Sequence, residues 1–364
     1  MNKAIRNALA LAAALLSAIA GAAPGSPGAL AAAMVAGTTP PAAVSLAVVD
    51  AGGASHTVIA GRAPAGPALQ ATTAFRTASN TKVYTAAAIL RLWEDGRLGL
   101  DDSIRKHVDP AYLAALDGDG YDTARITVRQ LLSHTAGLAD HAQTKQFMDT
   151  ITTQSNKAWS RADHLDALVR WTDPVAAPGA KFAYADPGYQ LLGNIIERIT
   201  GQPLAAAVRA LLRFDELGLH NTYWEALEAP GAKTGARAHQ FLRGHDTHGW
   251  HPSLDLYGGG GLVASPEDMA RFLFLLFEGQ VFKKPATLAA MISTEGLPAG
   301  SVYRLGLFEY DAGGVKAYGH SGFWGTAAMY VPSQRRAIAF ALTHQEAFKP
   351  AFEAFKAYGG QAAK

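Results

Sequence analysis

Strand-forming runs stand at both ends of this chain, and a long helical stretch lies between them. Residues 43–50 (AVSLAVVD) and 56–60 read as two strands around a Gly52-Gly53 turn. Residues 303–310, 326–331 and 337–343 carry strand patterns near the other end. A short strand over residues 74–77 leads into a helix from about Ser79 to Asp95. Its Val83, Ala87, Leu90 and Trp93 recur at helical spacing, and Gly96 stands where a C-cap glycine belongs. Further helices are predicted over residues 188–200 and 203–212, and another starts at Ser265-Pro266, a cap residue followed by proline. Residues 350–358 form a closing helix, and no internal repeat is visible. Strands from both ends must meet in one sheet for these runs to share a core. The predicted fold class is therefore α+β: an antiparallel sheet with flanking helices, built from both chain ends, plus a large, mostly helical inserted region over about residues 98–295.

With 364 residues, 49% of them hydrophobic and 17% charged, the chain can bury a sizeable core. That composition excludes a disordered, collagenous or coiled-coil chain. Lys and Arg total 32 against 30 Asp and Glu, and the excess equals Lys3 and Arg6 near the N-terminus. The remainder is balanced, which leaves no electrostatic case for nucleic acid or anionic lipid as a partner. Lys3 and Arg6 precede an apolar run over residues 8–20, and Ala18-Ile19-Ala20 and Ala20-Gly21-Ala22 offer small-x-small cleavage sites. Residues 1–22 are expected to be a signal peptide, followed by a flexible Ala/Gly/Pro leader over 23–41 and one domain over 42–364. The expected location is a bacterial periplasm or the exterior, with no stable membrane insertion after cleavage. The chain has no cysteine, so a Cys-linked lipid anchor, disulfides, thiolate catalysis and Cys-ligated zinc are excluded.

Ser79-Asn80-Thr81-Lys82 opens the first long helix. A serine hydroxyl needs a base to become a nucleophile, and a lysine one turn on can reach it. Burial would lower that lysine's pKa toward a usable base, and the helix N-terminus adds unpaired N–H groups. The spacing alone is a weak signal. Ser103-Ile104-Arg105-Lys106 repeats it, but follows two Asp residues and opens no long helix, so it is read as a solvated turn.

The segment FRTASNTKVYTAAAILRLWEDGRLGLDDSI resembles the serine β-lactamase and penicillin-binding-protein superfamily, in its branch of class C β-lactamases, DD-carboxypeptidases and related esterases. The resemblance runs from about residue 40 to 345 and includes LLSHTAGL at 131–138, Tyr184-Ala185-Asp186 with the following helix, GGGLVAS at 259–265 and GHSGFWGT at 319–326. It implies a β-lactamase/DD-peptidase-like fold and a covalent acyl-enzyme mechanism that needs no cofactor or metal. Ser79 would be the nucleophile, with Lys82 and Tyr184 moving protons; which of the two serves as acylation base stays open. The backbone N–H groups of Ser79 and Phe323 would form the oxyanion hole. Asp186, His320, Ser321 and Gly322 would bind substrate.

Two residues depart from the family pattern. Asp186 stands where many members have Asn, so it can only accept hydrogen bonds when ionised; it suits a substrate amine or simply neutralises Lys82. His320 stands where class C β-lactamases have Lys. If its imidazolium binds a substrate carboxylate, activity on anionic substrates should decline through a pKa of about 6.5. Lys233-Thr234-Gly235 is a literal K-T-G, but it lacks strand-forming neighbours and is read as a surface turn. His239, His245, His248 and His251 with Asp246 suit no zinc motif, and a polar hairpin near the active-site mouth is expected. The expected activity is that of a D-alanyl-D-alanine carboxypeptidase-like peptidase or a carboxylesterase, taking a small-molecule or peptide substrate. A class C-type β-lactamase is the runner-up. A non-catalytic penicillin-binding or sensor module is the reading of another kind, and intact Ser79, Lys82 and Tyr184 argue against it.

Overall fold

All seven residues of β1 (Ala43–Val49) are buried in the computed structural model, which describes residues 25–361. The run is apolar throughout, rather than alternating, because both faces of the strand are covered. Val44, Leu46 and Val48 face a layer with Leu30, Phe340 and Phe355. Ala47 and Val49 face the opposite layer, with Phe274 and Tyr330. The chain turns at Gly53, where φ is +83°, into β2 (Ser55–Gly61). On its other side β1 pairs antiparallel with β11 (Arg336–Leu342), Val44 opposite Leu342. The sheet continues through β10 (Thr326–Val331), β9 (Val315–Gly322) and β8 (Phe308–Ala312), in the order β2-β1-β11-β10-β9-β8. The two ends of the chain thus lie side by side in an α+β fold, as the sequence predicts.

One prediction at this sheet differs from the structure, and one strand is not predicted. The run at 303–310 is a strand only from Phe308, and Tyr303 reaches Phe308 by an isolated bridge. β9 has no strand signature, because Gly319, His320 and Gly322 are poor strand formers. Tight packing demands its first glycine: a Cβ at Gly319 would lie 2.0 Å from the Ala328 carbonyl oxygen.

Residues 23–41, expected as a flexible leader, contain a docked helix instead. Residues 27–35 form α1 (Pro27–Val35), which packs Leu30, Ala31 and Met34 onto the sheet. Ser26 caps it, accepting from the Ala29 N–H at 3.2 Å, and Pro27 takes the first turn. Alanine is the strongest helix former, and three buried side chains suffice to dock the segment. The proposed signal peptide, residues 1–22, lies outside the described residues.

Between the outer strands the chain forms α2 (Thr81–Glu94), α3 (Pro110–Gly118), α4 (Val128–Leu132), α5 (Lys145–Thr153), α6 (Arg161–Trp171), α7 (Asp186–Thr200), α8 (Leu204–Leu212), α9 (Pro266–Phe277) and α10 (Pro285–Ile292). α11 (Phe348–Gly359) closes the fold against α1. A second sheet joins β3 (Phe75–Arg76), β7 (Leu262–Ala264) and β4 (Thr222–Trp224), and a hairpin joins β5 (Phe241–Leu242) to β6 (His245–Asp246). α2 is the central helix, with every residue but Trp93 buried. A charged residue on such a helix must be paired, and Lys82 lies on it with no exposed surface. Among the described residues, no helix is long and apolar enough to cross a membrane.

Candidate active site

Ser79 sits in a 3-10 turn, Ala78–Asn80, between β3 and α2. Ala78 holds a left-handed φ of +47°, a conformation that costs a non-glycine residue roughly 1 kcal/mol or more. A clamp of hydrogen bonds holds the turn in place. Asn80 Nδ2 donates to the Thr77 carbonyl (3.1 Å) and to Thr326 Oγ1 (2.9 Å), which in turn donates to the Thr77 carbonyl at 2.9 Å. Thr77 Oγ1 donates to the Leu262 carbonyl at 2.9 Å. The turn is thereby tied both to β10 and to β7. Gly322 closes the contact from β9, since a Cβ there would fall 2.1 Å from the Thr77 carbonyl oxygen.

One helical turn on, Lys82 Nζ makes three hydrogen bonds: to Ser79 Oγ (3.0 Å), Asp186 Oδ1 (2.6 Å) and the Gly259 carbonyl (2.7 Å). The carbonyl and the carboxylate can only accept. As an ammonium Lys82 donates to all three; as a free amine it keeps two N–H bonds and turns its lone pair to the Ser79 O–H. The same contacts therefore serve both protonation states. Asp186 is the first residue of α7, where the helix dipole favours a negative charge.

Lys82 departs from the expectation of a pKa lowered by burial. Burial alone does push the ammonium down, but the Asp186 charge, Tyr184 and the hydrogen bonds outweigh it and hold Lys82 above its ordinary range. Asp186 responds in kind: burial pushes its carboxyl up, and the Lys82 charge and hydrogen bond hold it below the usual range. The two form an ion pair whose lysine is fully buried and whose carboxylate opens onto the cavity.

Tyr184 lies just before α7, with its ring centroid 5.1 Å from Lys82 Nζ. Burial raises its phenol above the ordinary range, while the Lys82 charge and hydrogen-bonding contact with Lys82 and Ser79 pull it back. The His134 ring lies 4.1 Å away, centroid to centroid. His134 Nδ1 accepts from the Ala185 N–H at 3.1 Å, so this imidazole ties the Tyr184 segment to the LLSHTAGL loop. The sequence marks that loop but gives His134 no role.

Ser79, Lys82, Tyr184 and Asp186 are thus brought together, and Phe323 lines the same cavity as Ser79, at the turn between β9 and β10. His320 is placed differently. His320 is 1% exposed, with both ring nitrogens engaged. Nδ1 lies 2.7 Å from the Ser321 carbonyl, which can only accept, so Nδ1 carries the proton. Nε2 then accepts from the Tyr303 hydroxyl at 3.0 Å. Burial, with the Lys82 charge, lowers the His320 pKa to about 3. The imidazolium that would be needed to bind a substrate carboxylate is therefore not formed near neutral pH. The ratio of kcat/KM for an anionic to a neutral substrate should stay flat from about pH 5 to 9 as far as His320 is concerned, and its ring signals in NMR should show no inflection there. An inflection near 6.5 would overturn the neutral state assigned to His320.

The remaining candidates fall outside the site. Ser103 caps a 3-10 turn, and Lys106 bonds to Asp102 at the surface. Lys233 is exposed in a turn closed by Thr234 N–H to the Gly231 carbonyl. His239 stacks on His248 at 4.0 Å and pairs with Asp246 at 2.6 Å, flanking the β5–β6 hairpin, whose Arg243 reaches the cavity. Three further residues escape sequence reasoning. Asp140 and Asp255 line the cavity, and Gly259 supplies a carbonyl to Lys82. Only Gly259, in a glycine run before a strand, has a visible signal.

A family model described as Beta-lactamase matches residues 30–362. Protein flp of Staphylococcus aureus (strain COL) is 34% identical over 131 residues, 36% of this chain and 24% of that protein. Penicillin-binding protein 4 of Amycolatopsis lactamdurans is 33% identical over 163 residues, 43% of this chain and 38% of that protein. The chain therefore spans well under half the length of these relatives. Two solved structures share its fold across nearly all of both chains. A D-stereospecific amidohydrolase from Streptomyces sp. has a TM-score of 0.72 at 25% identity, covering 89% of this chain and 96% of its own. The D-amino acid amidase from Ochrobactrum anthropi SV3 has a TM-score of 0.74 at 24% identity, covering 91% and 98%.

Proposed function

Because the chain belongs to the Beta-lactamase family, and so is a serine hydrolase of the β-lactamase and penicillin-binding-protein superfamily, we propose that Ser79 is its nucleophile and that its substrates are amides or esters of D-amino acids. The observation that carries this reading is the contact of Lys82 Nζ with Ser79 Oγ at 3.0 Å, at the floor of an open cavity. Ser79 Oγ attacks the substrate carbonyl while its proton passes to whichever of Lys82 and Tyr184 serves as the base, in its deprotonated form. The new C–O bond leaves an oxyanion facing the backbone N–H groups of Ser79 and Phe323. Tyr184 relays the proton to the departing nitrogen or oxygen, the C–N or C–O bond breaks, and an acyl-enzyme remains. Water then attacks the ester, its proton returns through the same pair, and the acid leaves.

Among the finer alternatives, the neutral, buried His320 weighs against a class C-type β-lactamase, since it offers no fixed cation where those enzymes have Lys. Amidase or carboxylesterase action fits better. D-stereospecificity is supported by the amidohydrolase likeness at 25% identity. Lys3, Arg6 and the apolar run after them support export to the periplasm or beyond. A panel of D-phenylalaninamide, a p-nitrophenyl ester, a D-Ala-D-Ala peptide and a cephalosporin tests the assignment. The amide and ester should turn over at least about tenfold faster than the cephalosporin. Fast release of a fluorescent penicillin label, with the cephalosporin as best substrate, would instead establish a β-lactamase.

A further inference from the structure

β3 pairs with β7 along one edge, where the Thr77 N–H donates to the Leu262 carbonyl at 2.9 Å. Along its other edge the partner changes partway. At Ala74 the partner is backbone: the Ala74 N–H donates to the Ala236 carbonyl (3.1 Å), and the Ala74 carbonyl accepts from the Ala238 N–H (2.8 Å). Two residues on, at Arg76, a side chain takes over. Gln240 Oε1 accepts from the Arg76 N–H at 2.8 Å, and Gln240 Nε2 donates to the Arg76 carbonyl at 3.3 Å. The same Nε2 donates to the Trp324 carbonyl at 3.1 Å. An N–H can only donate and a carbonyl can only accept, so these three bonds fix the amide in one orientation and use its whole capacity for the two segments. Gln240 is 1% exposed, and no motif marks it.

The glutamine is itself held firmly. Its carbonyl accepts from the Thr247 N–H (2.9 Å) and from Thr247 Oγ1 (2.7 Å). The next residue, Phe241, donates its N–H to the Thr343 carbonyl at 2.7 Å, just past β11. The buried Arg76 guanidinium donates to the carbonyls of Thr247 (3.0 Å) and Trp250 (2.7 Å). The side-chain amide therefore projects from a braced frame.

The two segments it joins carry the proposed oxyanion donors. Arg76 stands three residues before Ser79, just ahead of the 3-10 turn. Trp324 follows Phe323 in a tight turn closed by the Gly325 N–H to the Gly322 carbonyl at 3.0 Å. Such donors work only when both lie within about 2.7–3.1 Å of the developing oxyanion, so the spacing between their segments matters as much as their presence. Asn80 and Thr326 tie the Ser79 turn to β10; Gln240 is a second, independent tie, from β3 to the Phe323 turn.

We propose that Gln240 is a positioning residue of the oxyanion hole: its amide sets the distance between the Ser79 and Phe323 N–H groups, and so governs stabilisation of the tetrahedral oxyanion rather than substrate binding. This rests on reading Ser79 as the nucleophile.

Gln240→Met, close to glutamine in length, removes all three bonds. Rates on a p-nitrophenyl ester are taken per active site, counted by complete fluorophosphonate labelling of Ser79. In this variant kcat should fall at least about tenfold while KM stays within about twofold. The affinity of phenylboronic acid, which adds to Ser79 Oγ and presents a boron-bound oxygen to the same N–H groups, should weaken by a comparable factor. Should Gln240→Met fail to fold, Gln240→Glu decides. It keeps the shape but offers at most one donor to the two carbonyls, and its kcat should fall in the same direction. A kcat per labelled site within about twofold of the wild type, even beside a lowered unfolding midpoint, overturns the proposal and leaves Gln240 a part of the fold alone. A loss confined to KM, or unchanged boronic acid affinity, also overturns it. If Ser79 of the wild type takes no label, the reading of the nucleophile falls as well; if it labels and the variants keep their rate, only the role of Gln240 falls.

Discussion

Ser79→Ala is expected to abolish acyl-enzyme formation and to cut turnover of the best substrate on the order of 10⁴-fold or more, while the protein keeps its fold. The substitution removes one oxygen that accepts from Lys82 Nζ and leaves the turn's clamp through Asn80, Thr77 and Thr326 untouched. Mass spectrometry of a trapped intermediate should therefore lose the acyl adduct, with the thermal unfolding midpoint nearly unchanged. Lys82→Ala should cost several orders of magnitude as well, but with a different structural signature. It leaves Asp186 as an unpaired carboxylate, 23% exposed to the cavity and so partly solvated, at a cost below the roughly 3–5 kcal/mol of a fully buried pair. A fall in stability is thus expected for Lys82→Ala and not for Ser79→Ala. Ser103→Ala is the control, because that serine caps a turn away from the site and donates to the Thr123 carbonyl; it should change activity little and stability by about 0.5–2 kcal/mol. Retained turnover in Ser79→Ala would overturn the assignment of the nucleophile.

The sheet and the nucleophile's position are legible in the sequence because both depend on local pattern. The residues of β1, β10 and β11 are apolar and strand-forming, and the Ser79 turn lies at a strand-to-helix junction. What the sequence hides depends on contacts between distant segments. α1 reads as a leader because Ala, Gly and Pro carry little packing signal alone; docking on the sheet supplies the rest. β9 is hidden because its glycines are set by the Ala328 carbonyl and the Thr77 turn, residues far off in sequence or on another element. The same limit applies to charge. Burial alone would lower the pKa of Lys82, yet Asp186, 104 positions away, raises it instead. A motif gives His320 its place and, through the Ser321 carbonyl, its tautomer, while the Tyr303 hydroxyl that meets its other nitrogen is marked by no motif. Asp140 and Asp255 become visible only with the cavity.

Asp186→Asn is expected to move the acid limb of kcat/KM toward lower pH by about 1–3 pH units. The base that takes the Ser79 proton must itself be deprotonated, so activity rises with pH through that group's pKa. Asp186 raises the pKa of Lys82 by its charge and its 2.6 Å hydrogen bond. It also raises that of Tyr184 by its charge. In the wild type, kcat/KM should accordingly climb through neutral pH and on into the alkaline range. An asparagine keeps an oxygen to accept from Lys82 Nζ but removes the charge, so burial can lower the lysine as it does in the absence of a partner. Either base therefore titrates lower in the variant, and the displaced limb is expected whichever of the two acts in acylation. At neutral pH the rate should increase by up to about tenfold for each pH unit that the limb moves, until another group becomes limiting. The pair's stability contribution should fall, because the lysine then lacks its counter-charge. A pH profile of Asp186→Asn superimposable on that of the wild type would show that Asp186 does not control the base. Its replacement of the commoner asparagine would then have to be explained by substrate recognition alone.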